Sequence, residues 1–69
     1  MSIAKNILNF IIKEKAQGNL FQEMNIQMKI MMKGINVKGI LEDRICDNPD
    51  LVERLKKIAE EFDVSLEKM

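Results

Sequence analysis

At 69 residues the chain has room for one domain, and so short a chain buries only about 60% of the surface its unfolded form exposes, so a homo-oligomer, most simply a dimer, is expected. It contains no His, Tyr or Trp and a single Cys, which excludes an intrachain disulfide framework and the usual zinc sites and leaves no histidine for acid–base catalysis. Eleven basic residues balance eleven acidic ones, yet residues 1–41 hold six lysines against two glutamates, a balance of +4, and residues 42–69 hold five basic against nine acidic groups, a balance of −4.

Ser2 can cap a first helix, and Ile3, Ala4, Ile7, Leu8, Ile11 and Ile12 follow at helical spacing, with Phe10 widening the stripe. The spacing predicts a helix over 2–17. Lys13 and Lys15 complement the negative end of its dipole, and Gly18 suits a left-handed cap. Apolar groups cover more than half of its circumference, so it should be wedged between neighbours.

Asn19 is the next cap. Leu20, Met24, Met28, Met31 and Ile35 then recur at steps of four, four, three and four, which predicts a second helix over 20–33 whose opposite side is Gln22, Asn25, Gln27, Lys29 and Lys33. A strand over 26–32 is the alternative, since Ile26, Met28 and Ile30 alternate with Gln27, Lys29 and Met31. Met, Gln and Lys are poor strand formers, and the helical pattern is longer. Met24, Met28, Met31 and Met32 fall within nine residues. Methionine fills gaps in cores and dimer contacts and is over-used at adaptable binding surfaces.

Gly34 ends that helix and Asn36 caps a short third one over 37–46, carried by Val37, Ile40, Leu41 and Ile45 or Cys46, with Cys46 read as a small buried hydrophobe. The fourth helix has the clearest start signal. Asn48 accepts from a first-turn N–H, Pro49 pre-sets φ, and Asp50 and Glu53 place negative charge at the positive end of the dipole. Leu51, Val52, Leu55, Ile58, Ala59 and Phe62 give its apolar face over 49–62, and a last helical turn begins at Ser65 with Leu66 and Met69 on one side. The fold class is therefore all-α, a single four-helix domain over 1–69 with a terminal helical turn.

No apolar run approaches the roughly 20 residues of a membrane span, no secretory leader is evident, and a lone Cys46 fits a reducing compartment. A cytoplasmic protein without membrane attachment is expected. Asp47, Asp50 and Glu42 or Asp43 are the nearest approach to a metal cluster, but Asp50 serves the helix dipole and no twelve-residue calcium loop is present, so neither a metal nor a cofactor is expected. Three aromatic residues, all Phe, leave no stacking platform for single-stranded nucleic acid.

Residues 34–69 resemble the C-terminal half of lambda-repressor-like helix-turn-helix domains at Asn48-Pro49, Val52, Leu55, Ile58-Ala59, Phe62, Val64-Ser65-Leu66 and Met69, with a compatible spacing from Gly34 and Ile40. The resemblance implies a DNA-binding regulator in which Asn36 and Lys38 face bases while Lys29 and Lys33 face phosphates. The segment matching the recognition helix also carries Glu42, Asp43 and Asp47, which oppose the electrostatic term that dominates DNA affinity. Neutralisation within the fold is the other use of the basic half: Lys29, Lys33 and Lys38 would then lie near Glu42, Asp43, Glu60 or Glu61. The leading expectation is a small non-enzymatic regulatory or interaction module that self-associates and binds a protein through Leu20, Met24, Met28 and Met31 of the second helix and Ile7 and Ile11 of the first.

Overall fold

The computed structural model describes residues 3–69. Four helices follow in order, α1 (Ile3–Ala16), α2 (Leu20–Met32), α3 (Val37–Leu41) and α4 (Pro49–Glu61), with a closing 3₁₀ turn over Leu66–Lys68. The expected cap at Ser2 lies outside the described residues. Among those residues there is no strand, so residues 26–32 are helical.

Side-chain amides start three of the helices. Asn19 accepts from the N–H groups of Phe21 and Gln22 at 2.9 and 3.2 Å, Asn36 from Gly39 at 3.0 Å, and Asn48 from Leu51 at 2.8 Å. Each satisfies backbone donors that the first helical turn leaves without partners. Ser65 stands at the start of the 3₁₀ turn but makes no side-chain capping bond there. Helix α1 has no acidic residue in its own first turn. Two of its first-turn donors are met from far along the chain, where Asp47 accepts from Ile3 N–H at 2.7 Å and from Ala4 N–H at 3.1 Å.

Helix α1 is the hub, touching α2, α3 and α4. It buries Ala4, Ile7, Leu8, Ile11, Ile12 and Ala16, and the arc from Ala4 to Ala16 is wide enough to meet three neighbours. Helix α4 adds Leu55, Ile58 and Ala59, α2 adds only Ile26 and Ile30, and Ile35, Val37, Ile40 and Val64 close the core from the connections and α3. Among the described residues the core is built wholly from Ala, Val, Leu and Ile, with no methionine in it. A Cα radius of gyration of 10.9 Å equals the roughly 11 Å expected for a folded chain of this length, so nothing in the described fold is splayed open.

Helix α3 stops at Leu41, well short of the expected 46. Asp43 takes φ +59°, Asp43 N–H bonds to Ile40 C=O at 3.2 Å and Arg44 N–H to Gly39 C=O at 2.8 Å. This is the left-handed C-cap pattern that terminates helices, and aspartate tolerates that conformation better than most side chains. The same pattern ends α4, where Asp63 has φ +60° and Val64 N–H bonds to Ala59 C=O at 2.8 Å, turning Val64 into the core. Stopping α3 early frees residues 42–48 as a loop that carries Asp47 to α1. It also leaves Cys46 exposed, which corrects its reading as a buried hydrophobe.

Candidate docking face on the second helix

At about 100° per residue, Ile26 and Ile30 lie on one side of α2, while Leu20, Phe21, Met24, Met28, Met31 and Met32 occupy an arc of about 120° on the other. The six are exposed at 76, 79, 65, 56, 42 and 85% respectively. Helix α2 is therefore amphipathic toward the core only along a narrow strip, and its broad apolar stripe faces outward. Within that stripe there is no charge. Asn25 and Gln27 border it as neutral amides, with Lys29 and Glu23 beyond them.

Taking about 200 Å² for a fully exposed large side chain, the six present on the order of 800 Å² of surface. Total exposed surface is 5010 Å², so about a sixth of the molecule's exterior is one apolar stripe. A typical monomer's largest apolar patch is a few hundred Å², and patches beyond that size mark contact sites.

The structure divides the residues expected to bind protein. Leu20, Met24, Met28 and Met31 stand together on the outer face of α2, joined by Phe21 and Met32. Ile7 and Ile11 do not belong with them: they are 4 and 0% exposed beneath the other helices, so their assignment to an interaction surface is corrected to core. The physical cause is the position of α1, which is surrounded by α2, α3 and α4 within one chain.

Of the residues assigned to DNA, Lys33 is held by Glu61 at 2.7 Å. Lys29 lines a cleft together with Lys15, Gln22, Glu61 and Asp63. Asn36 spends its side-chain oxygen on Gly39 N–H. Lys38 is exposed on α3, a helix of only five residues. A second ion pair, Lys5 to Asp43 at 3.0 Å, again joins the basic half of the chain to the acidic half. These contacts place the compensation of the two halves partly within the monomer.

The cleft beside Lys29 encloses about 320 Å³ and is the low end of what small-molecule pockets offer. Among the described residues no three His, Cys, Asp or Glu side chains gather in a way that could hold a metal ion, and the carboxylate of Asp47 is engaged at the start of α1. No described helix is long and apolar enough to cross a membrane. The chain matches no protein-family model, no characterised protein and no solved structure. The class defined by fold and face is thus a small all-helical domain with an uncovered apolar helix.

Proposed function

We propose that this chain is a non-enzymatic interaction module that docks the apolar face of an amphipathic helix on the outer side of α2. The observation that carries the reading is the exposed, uncharged stripe from Leu20 to Met32. Burial of apolar surface is the main favourable term in association, and the stripe offers on the order of 800 Å² of it against the cost of ordering two partners. Methionine suits such a surface because its three rotatable bonds let it conform to a partner's ridges. The stripe runs along a 13-residue helix, about 20 Å, which matches three to four turns of a partner helix.

The second reading is DNA binding, favoured by the connection of α2 to α3 through residues 33–36 and by the resemblance of residues 34–69 to lambda-repressor-like domains. It draws less support from the site, because Lys33 and Asn36 are engaged within the fold and the largest exposed feature is apolar.

Titrating the full chain with a fluorescently labelled amphipathic leucine–lysine helical peptide, and separately with duplex DNA, tests both. Peptide binding that persists at high salt and is lost in Met28→Lys supports docking. Duplex binding that falls steeply with salt and is lost on changing Lys29 and Lys38 to Gln, with no peptide binding, would make the DNA reading the correct one.

A further inference from the structure

We propose that the occupant of the α2 face is a second copy of this chain, the two α2 helices packing across a two-fold axis. The inference rests on the docking role of that face. Three observations point to self-pairing rather than to a dissimilar partner.

The first is area. The stripe exposes on the order of 800 Å² per molecule, the scale of what each partner buries in a standard stable protein interface. The second is charge. The stripe carries no ionic group and its immediate borders, Asn25 and Gln27, are neutral amides, so the face has no charge pattern to select an acidic or a basic partner. The whole chain has a formal net charge of zero, and two copies approach without net repulsion. The third is shape. A projecting row of Leu, Phe and Met on a convex helix offers ridges rather than a groove, and ridges of one helix fit between ridges of another of similar kind.

With the axis crossing the stripe at the level of position 26, an antiparallel pair sets each Gln27 beside its counterpart on one border and each Asn25 beside its counterpart on the other. Amides suit such self-pairing, since each supplies both donor and acceptor. Lys29 and Glu23 fall farther from the axis, about six residues of rise or roughly 9 Å from their own copies' equivalents, where solvent separates like charges. The hub position of α1 is untouched by this arrangement. Every residue buried in the monomer stays where it is, so pairing needs no rearrangement of the core.

Sedimentation equilibrium of the full chain, from low micromolar to several hundred micromolar, is the test. The expected result is a concentration-dependent dimer whose Kd rises by about a hundredfold or more in Met28→Lys, because each dimer would then bury two unpaired ammonium groups. Met24→Glu should act likewise. Both variants keep the wild-type circular dichroism, since neither position is in the core. A monomer throughout the range overturns the self-pairing, and binding of the labelled helical peptide by that monomer, lost in Met28→Lys, leaves the docking role standing. A dimer unaffected by either substitution, with no peptide binding, overturns both.

Discussion

Asp47 holds the first turn of α1 from 44 residues away, its carboxylate accepting from the backbone N–H of Ile3 at 2.7 Å. A second bond from Ala4 N–H at 3.1 Å engages its other oxygen. Two orphan donors at the positive end of the hub helix are thereby satisfied by an anion from the loop between α3 and α4. The contact ties the start of the chain to its acidic half.

Removing that carboxylate should therefore destabilise the whole domain rather than one helix end. Asp47→Ala is expected to cost about 1 to 2 kcal/mol, and Asp47→Asn, which retains an acceptor but loses the charge, about half as much. For a domain of this size 1 kcal/mol is worth about 4–8 °C, so thermal unfolding resolves the two. Equal melting temperatures for wild type and Asp47→Ala would show that the cap contributes nothing.

Leu8 and Leu55 are both 0% exposed, on α1 and α4. Truncating either to Ala removes buried methyl groups and leaves a cavity, at about 2–5 kcal/mol. Against a total stability on the order of 5 kcal/mol for so small a domain, either change should leave a substantial unfolded fraction at room temperature in urea-free buffer. Met24→Ala, by contrast, should change monomer stability by no more than about 0.5 kcal/mol, as a solvent-facing position. Urea titration below the dimer's Kd checks the contrast.

Gly39 is required by a close approach. A Cβ there would stand 2.6 Å from Ile45 Cδ1 and 2.9 Å from the Asn36 side-chain nitrogen. Gly39→Ala should thus push Ile45 off α3 and disturb the Asn36 cap, at about 1–3 kcal/mol. The double variant Gly39→Ala with Ile45→Ala, which removes the obstructing side chain, should cost less than the two single changes added together. Additive losses in a double-mutant cycle would contradict the proposed clash.

The Lys33–Glu61 pair, 2.7 Å apart with side chains 38 and 55% exposed, should be worth well under 1 kcal/mol at physiological salt. Lys33→Gln is expected to lower the melting temperature slightly in dilute buffer, with the difference vanishing at high salt. A difference that persists at high salt would point to packing of the lysine stem instead.

Peroxide should act on the docking face selectively. Oxygen transfer from a hydroperoxide to the thioether of Met24, Met28, Met31 or Met32 yields the sulfoxide and water or alcohol, turning an apolar side chain polar. Since none of the four lies in the core, oxidation should weaken dimerisation while the helical circular dichroism persists. Intact mass spectrometry with sedimentation of the oxidised chain checks it, and enzymatic reduction of the sulfoxides should restore the dimer. Unfolding on oxidation would mean that these methionines support the monomer.

Local chemistry alone determined much of this protein. The amides of Asn19, Asn36 and Asn48, with Pro49 behind the last, mark where α2, α3 and α4 begin, because a cap needs only residues within three positions. The apolar faces of α1 and α4 are legible for the same reason: one stripe per helix leaves one side to bury. Helix α2 is different, since it carries two apolar arcs, and periodicity alone favours the wider one, from Leu20 to Met31. The structure buries the narrower arc instead. Which arc faces inward is decided by α1, whose Ile-rich surface accepts the compact, stiff side chains of Ile26 and Ile30. The sequence did hold a signal for this, in that branched residues fill the core and the flexible methionines of α2 stay outside it. The early end of α3 is a local event as well, a left-handed turn at Asp43 closed by bonds to Ile40 and Gly39, but the apolar spacing through Ile45 and Cys46 masks it. Tertiary structure alone decided the reach of Asp47 to Ile3, because that contact joins groups 44 residues apart.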